Sequence, residues 1–257
     1  MESFLVQERY SEVQSAALNY LQKYANRKEQ IDDVYYWAGY SAYQNQDDET
    51  ALAQFNILLT DYPETHFKET VVQSQIEIYR RMKNYPCELE RIQAYAEEFG
   101  DKENKYKFRI VELEELQKGV GIDEARLLAR KKQGDKVAEF ELAKFYYENS
   151  RGQEAFDIME SLQKEDKGVA GARANNFIGD IAYGKGEYKN ALQYYAMTIS
   201  EYKPTADEMS EALYKLAYCY YKLGAKEQAE KYVDMVISRY PNSQWMGNAK
   251  TLKGGLK

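Results

Sequence analysis

Residues 213–241 read Leu-Tyr-Lys-Leu-Ala-Tyr-Cys-Tyr-Tyr-Lys-Leu-Gly-Ala-Lys-Glu-Gln-Ala-Glu-Lys-Tyr-Val-Asp-Met-Val-Ile-Ser-Arg-Tyr-Pro. Leu213, Leu216, Ala217 and Tyr220 fall on one side of a helix. Gly224 interrupts the run, Ala229, Val233 and Val236 resume it, and Pro241 stops it. Two antiparallel helices approach closely when small residues sit at matched places, and large side chains around them fill the groove. Glycine between the helices reaches the left-handed conformation at little steric cost. Proline after the second helix lacks the N–H that would continue the ladder.

The pattern recurs upstream. One copy has Ile178, Gly179, Ala182, Gly186, Ala191 and Tyr195, with Pro204 one place late; another has Leu142, Ala143, Tyr146, Gly152, Ala155, Met159 and Leu162. A third has Ala38, Gly39, Ala42, Ala51, Phe55, Leu58 and Pro63, with Asp47 the expected N-cap of its second helix and Asp48 and Glu49 in the first turn. Two copies are degenerate: one with Ile76, Tyr79, Leu89 and Ala96, one with Leu113, Leu116, Ala125 and Ala129. Tyr10–Ala25 reads as a second helix alone, with Val13, Ala17 and Tyr20 on its apolar face. Its partner is either stunted over Met1–Gln7 or lies upstream, and the expectation is a chain excised from a longer one. Ser243 is the expected cap of a last helix carrying Trp245, Met246, Ala249 and Leu252 and ended by Gly254-Gly255. The predicted organisation is a single solenoid over 1–257, with repeats at 28–64, 65–101, 102–136, 137–170, 171–207 and 208–243, a partial or capping repeat at 1–27 and a capping helix at 244–257.

Gly179-Asp180-Ile181-Ala182-Tyr183, Ala191-Leu192 and Tyr195, with Leu216-Ala217-Tyr218-Cys219-Tyr220, Gly224 and Ala229, resemble the tetratricopeptide-repeat family, whose unit is a helix–turn–helix of about 34 residues. The resemblance covers most of the chain. It implies an all-α fold: a right-handed superhelical solenoid of about six repeats plus a C-terminal capping helix, with a concave groove that binds a protein or an extended peptide. The repeat endings Asp61-Tyr62-Pro63-Glu64-Thr65 and Arg239-Tyr240-Pro241-Asn242-Ser243 look like those of bacterial envelope members, the outer-membrane assembly lipoprotein and Tol–Pal-associated types. That likeness implies a periplasmic or outer-membrane-associated protein if an upstream signal was removed, with the cytoplasm as the alternative.

Composition excludes other classes. The 35 Lys and Arg against 42 Asp and Glu give a net charge of −7. Binders of nucleic acid or anionic lipid show a basic face, so neither is an expected partner. The most basic stretch, Arg126–Lys136, is diluted by Asp135 and reads as a solvated helix face. No apolar run approaches the ~18 residues of a spanning helix, so direct membrane insertion is not expected. Met1–Tyr10 lacks a basic region followed by an apolar run. Cys87 and Cys219 are distant in sequence and read as two free thiols.

The residues point away from catalysis. His66 is the one histidine and follows a repeat end. No His/Cys cluster has metal-ligand spacing, so neither metal nor cofactor is expected. Gly179–Gly186 nearly matches a phosphate-binding loop, but Gly186 replaces its Ser or Thr and its interior belongs to a repeat helix. Glu112, Glu114 and Glu115 read as a solvated helix face rather than paired acids.

The resemblance places the groove on the first helix of each pair, on residues flanking the small position by a turn. Carried onto this sequence these are Tyr36, Tyr40 and Tyr43; Phe140, Lys144 and Tyr147; Asn176, Asp180 and Tyr183; and Tyr214, Tyr218 and Tyr221. Tyrosine suits recognition, giving ring area with a hydroxyl that stays satisfied in water. Family members that clamp a C-terminal carboxylate carry Asn right after the small residue; here Tyr40, Lys144, Asp180 and Tyr218 stand there, so that clamp is absent. The expected function is a non-catalytic protein-interaction scaffold in an envelope assembly. A helical accessory region of a larger enzyme and a self-assembly module are the alternatives.

Overall fold

The computed structural model describes residues 9–24, 31–101 and 104–256. Every regular element among them is an α-helix: α1 Tyr10–Tyr24, α2 Ile31–Gln44, α3 Asp48–Asp61, α4 Lys68–Arg81, α5 Tyr85–Phe99, α6 Lys107–Gln117, α7 Ile122–Lys132, α8 Lys136–Glu148, α9 Gly152–Glu165, α10 Val169–Gly184, α11 Tyr188–Glu201, α12 Ala206–Lys222, α13 Lys226–Arg239 and α14 Met246–Leu256. They group into two compact units, Met1–Ala125 and Arg126–Lys257. The expected stunted helix over Met1–Gln7 lies outside the described residues.

Helix pairs close by trading volume across one contact. Gly39 of α2 faces the Phe55 ring of α3, where a methyl group would stand 2.6 Å from the ring carbons. Gly179 of α10 faces Tyr195 of α11 in the same way, at 2.8 Å. Where the first helix carries alanine, at Ala143 and Ala217, the residue opposite is the slimmer Met159 or Val233, in the same buried clusters. In each pair the two positions are 16 residues apart (39 and 55, 143 and 159, 179 and 195, 217 and 233). Glycine permits a ring and alanine does not, so the interhelical space stays filled at near-constant density.

The turns obey the same register but not the same chemistry. Gly186 and Gly224 take the left-handed conformation seven residues after the small position (φ 79° and 80°). At the equivalent places Gln46, Lys83 and Ser150 take it too, at φ 62°, 56° and 62°. In the α8–α9 pair the left-handed residue is therefore Ser150, and Gly152 opens α9 instead. Side chains with a β-carbon are strained there by about 1 kcal/mol or more.

Asp47 caps α3 as the sequence predicts, its carboxylate accepting from Thr50 N at 3.3 Å. Ser243 does not cap the last helix. The chain turns through 242–245, α14 starts at Met246, and Ser243 Oγ is buried without a partner. Gly254-Gly255 lies inside α14, which runs to Leu256.

The degenerate pair α4–α5 closes differently. Ile76 and Ile92 occupy the two trading positions, and Glu88 stands where other second helices carry Ala51, Ala155, Ala191 or Ala229. The Glu88 side chain is 0% exposed. It accepts from Arg80 Nε at 2.9 Å and from Arg109 of α6 at 2.8 and 2.6 Å. Arg109 also donates to Glu112 at 2.6 Å. Glu112 and Glu115, expected on a solvated face, are buried and ion-paired, with Arg109 and Lys118 respectively.

Successive pairs are stitched by side chains about one repeat apart. In the first unit Gln14 Nε2 donates to Asp47 (2.7 Å), Thr65 Oγ1 to Asp32 (3.3 Å) and Arg81 to Asp48. Each of these contacts joins residues 33 positions apart.

Candidate functional site

The twelve predicted positions separate by register. Those one turn before the small residue are consumed by the neighbouring repeat. Tyr36 is 8% exposed and stacks on Phe67 with ring centroids 3.8 Å apart. Phe140 is 8% exposed and meets Phe177 edge-on at 6.2 Å. Asn176 is 2% exposed; its amide donates to the Glu208 carbonyl (3.3 Å) and accepts from Thr198 Oγ1 (2.7 Å). Tyr214, half-buried, stacks on Trp245 at 5.2 Å. In each case the partner enters from the next repeat, so these four side chains hold repeats together.

Positions just after the small residue, and one turn further on, are more open. Tyr40 and Tyr43 are half-buried in the first unit. Tyr40 touches Tyr10, and the Arg81 guanidinium lies 5.3 Å from the Tyr43 ring. In the second unit Lys144, Asp180, Tyr183, Tyr218 and Tyr221 are half-buried and Tyr147 is exposed.

The second unit gathers these residues into a groove of two adjoining hollows. One, of about 450 Å³, is lined by Phe140, Glu141 and Lys144 of α8, Arg173, Asn176, Phe177 and Asp180 of α10, Asp207, Glu208 and Glu211 of α12, and Gln244. The other, of about 340 Å³, is lined by Asp180, Tyr183, Tyr195, Tyr214, Lys215, Tyr218, Trp245 and Asn248. Asp180 belongs to both. One end is therefore rich in carboxylates and the other in aromatic rings.

Asp180 is held from two sides. It accepts from Tyr195 Oη at 2.6 Å and from Lys215 Nζ at 2.6 Å, and Lys215 also donates to Glu211 at 2.6 Å. Burial, with the Asp180 charge and hydrogen bond adding to it, pushes the Tyr195 phenol far above its ordinary range. Burial does the same to Tyr183, helped by Tyr218 beside it. Burial also pushes the Cys219 thiol up to about 12, so it stays protonated and unreactive. At the other end, burial would raise the Glu208 carboxyl. The hydrogen bonds from Thr205 and Arg173 outweigh it and hold that carboxyl below its usual value.

Arg173, Glu208, Glu211, Lys215 and Trp245 are groove residues that the sequence reading missed. Three contacts would have revealed them: Arg173–Glu208, Asn176–Glu211 and Asp180–Lys215 each join polar partners 35 residues apart. Complementary charge one repeat period ahead is a signal that a scan within single repeats does not see.

Elsewhere, Cys87 and Cys219 are free thiols as expected. The structure brings Asp32, Asp33 and His66 together, their ligand-type atoms within 4.8 Å of one another. The two carboxylates lie in the first turn of α2, where the backbone amides favour negative charge. That explains them without an ion.

Two segments, residues 33–65 and 211–243, match the family model described as Tetratricopeptide repeat. They coincide with the α2–α3 and α12–α13 pairs. The chain is similar to Protein FLUORESCENT IN BLUE LIGHT, chloroplastic, of Arabidopsis thaliana, at 24% identity over 130 residues that are 47% of this chain. It spans 40% of the length of that curated relative. Among solved structures, it is similar to a tetratricopeptide repeat protein from Parabacteroides merdae (TM-score 0.40, 11% identity, 98% of this chain and 95% of that one). It is also similar to the C-terminal part of a TPR repeat-containing protein from Cytophaga hutchinsonii (0.43, 18%, 96% and 97%). A further likeness is to the apo form of the quorum sensor NprR from B. thuringiensis (0.44, 18%, 96% and 81%). The helix pairs and the two matched segments together give an all-α tetratricopeptide fold.

Proposed function

We propose that this chain is a non-catalytic protein-binding scaffold whose second unit receives a segment of a partner in the groove of α8, α10, α12 and α14. The observation that carries the reading is the continuity of the two hollows through Asp180, with half-exposed rings of Tyr183, Tyr214 and Tyr218 beside it. Rings held by their neighbours lose little entropy on binding and give large contact area, which is how recognition surfaces concentrate affinity. The polar groups of the groove are engaged with one another in ion pairs and amide bonds, which suits recognition rather than proton transfer.

The repeat endings at 61–65 and 239–243 support a bacterial envelope assembly as the setting, on the periplasmic or outer-membrane side. Fractionation of the source cells tests that placement; recovery of the protein with the cytosol would reject it.

The binding test uses a photo-crosslinking amino acid at Lys144 or Tyr221, beside the groove, and at Gln193 of α11 as a control, in the source organism. The expected result is a discrete adduct from the groove positions that disappears when Tyr218→Ala is added with helicity unchanged. Equal adducts from Gln193, or adducts indifferent to Tyr218→Ala, would overturn the proposal.

A further inference from the structure

We infer that the groove of the second unit takes a basic segment: an extended peptide with one Arg or Lys close to a large apolar or aromatic side chain. The inference rests on the groove reading above and adds the chemistry of the occupant.

Charge balance carries it. The lining holds five carboxylates against three cations. Arg173 is shared between Glu208 at 2.9 Å and Glu141 at 4.0 Å, and Lys215 between Asp180 and Glu211. Each of those clusters keeps one negative charge in excess. Lys144 pairs with Glu148, which is not part of the lining, at 3.9 Å. Asp207 has no cationic partner among the described residues.

The excess is also presented outward. The Lys215 side chain is 17% exposed, while that of its partner Asp180 is 38% exposed. A ligand reaching the junction of the two hollows therefore meets the carboxylate before the ammonium. Beside it lie the rings of Tyr183 and Tyr218, 5.8 Å apart and edge to face. A guanidinium can pair with a carboxylate while its plane rests on a ring, so Asp180 and these tyrosines suit one side chain together. A neighbouring apolar residue of the ligand then reaches the ring-lined hollow against Tyr214 and Trp245. An acidic peptide would add a like charge to each cluster and is disfavoured.

The test uses three fluorescein-labelled decapeptides on one Gly/Ser scaffold, with cores Arg-Gly-Phe, Glu-Gly-Phe and Arg-Gly-Ser, titrated by anisotropy against the full chain. The Arg-Gly-Phe peptide is expected to bind about tenfold more tightly than either other form and to weaken severalfold as salt rises from low to physiological. Asp180→Asn should erase the preference for Arg over Glu, and Tyr218→Ala the preference for Phe over Ser. Should Asp180→Asn fail to fold, Glu141→Gln at the exposed end of the acidic hollow gives the same readout. Equal binding of the Glu peptide, with loss on Tyr218→Ala, overturns the basic preference and leaves the groove standing. Binding that ignores Tyr218→Ala, or no binding by any of the three, overturns both.

Discussion

Replacing Glu88 with alanine is the substitution on which the repeat pattern and the structure disagree most sharply. Every better-formed pair carries alanine there, at Ala51, Ala155, Ala191 and Ala229. A consensus argument predicts that Glu88→Ala stabilises, since alanine also has the higher helix propensity by a few tenths of a kcal/mol. The structure predicts the reverse. Glu88 accepts three charge-assisted hydrogen bonds, one from Arg80 and two from Arg109. Those bonds, with the one from Glu112, hold the Arg109 guanidinium well above its ordinary range. Removing one member of a buried ion pair costs about 3–5 kcal/mol, because the other is left desolvated. Arg109 keeps Glu112, and Arg80 keeps Glu77 and solvent, so the expected loss is at the low end, about 3 kcal/mol.

Two further variants separate charge from packing. Glu88→Gln keeps the shape and one acceptor and should cost about 1–2 kcal/mol. Glu88→Ala combined with Arg109→Leu removes both charges and should recover stability to within about 1 kcal/mol of the parent. The assay is urea denaturation of the full chain followed by circular dichroism, with the slope checked for a change in the unfolding unit. If Glu88→Ala matches or exceeds the parent in midpoint, the buried network contributes nothing and the reasoning fails.

Gly39→Ala sets a β-carbon 2.6 Å from the Phe55 ring and should cost about 1–3 kcal/mol; Phe55→Leu in the same chain should restore most of it, and a neutral single mutant would refute the volume trade. Ser150→Gly relieves the left-handed turn and should raise stability by about 0.5–1 kcal/mol in urea melts, whereas Gly152→Ala, in a helical position with open space around it, should not destabilise. Tyr202, raised by burial to about 12 from its ordinary 10.0, contributes stability that is whole below pH 10 and is lost as pH climbs through its folded value. Tyr183 and Tyr195 behave in the same sense, so phenolate absorbance should appear together with loss of ellipticity; rings that titrate near pH 10 with helices intact would contradict this. Glu208, lowered from 4.5, contributes stability that is present above that value and lost as pH falls through its folded one, so Glu208→Gln should flatten the acid limb of the stability curve.

Helix existence was legible because it depends on local periodicity, and the small positions were legible because close approach admits few residue types. The placement of rings was half legible. Tyr36, Phe140, Asn176 and Tyr214 share a register one turn before the small residue, and all four pack on an element of the next repeat: Phe67, Phe177, α12 and Trp245 respectively. A reading confined to one repeat cannot distinguish a side chain that faces solvent from one that faces the next repeat. The same blindness hid Lys215 and Arg173, whose partners lie 35 residues away. Ser150 was missed because its turn is imposed by register, and register overrides residue preference when packing on both sides is strong.

A chain of contacts joins the core of the α10–α11 pair to the charge of the groove. The missing β-carbon of Gly179 makes room for the Tyr195 ring, which is fully buried. That ring delivers its hydroxyl to Asp180, the residue after Gly179, and Asp180 in turn holds Lys215 of the next repeat. In the α2–α3 pair the same space is filled by Phe55, which has no hydroxyl, and the residue after Gly39 is Tyr40 rather than an acid. Phenylalanine and tyrosine are thus equivalent for packing and different for electrostatics. Tyr195→Phe separates the two roles: packing survives, and a carboxylate that loses a short hydrogen bond in a partly desolvated site should leave the fold within about 1–2 kcal/mol of the parent. The change should also free Asp180 to move relative to Lys215, so the discrimination between basic and acidic peptides should shift even though no groove-lining charge has been altered. An unchanged preference would mean that Lys215 alone fixes the carboxylate and that the buried hydroxyl serves only its own satisfaction.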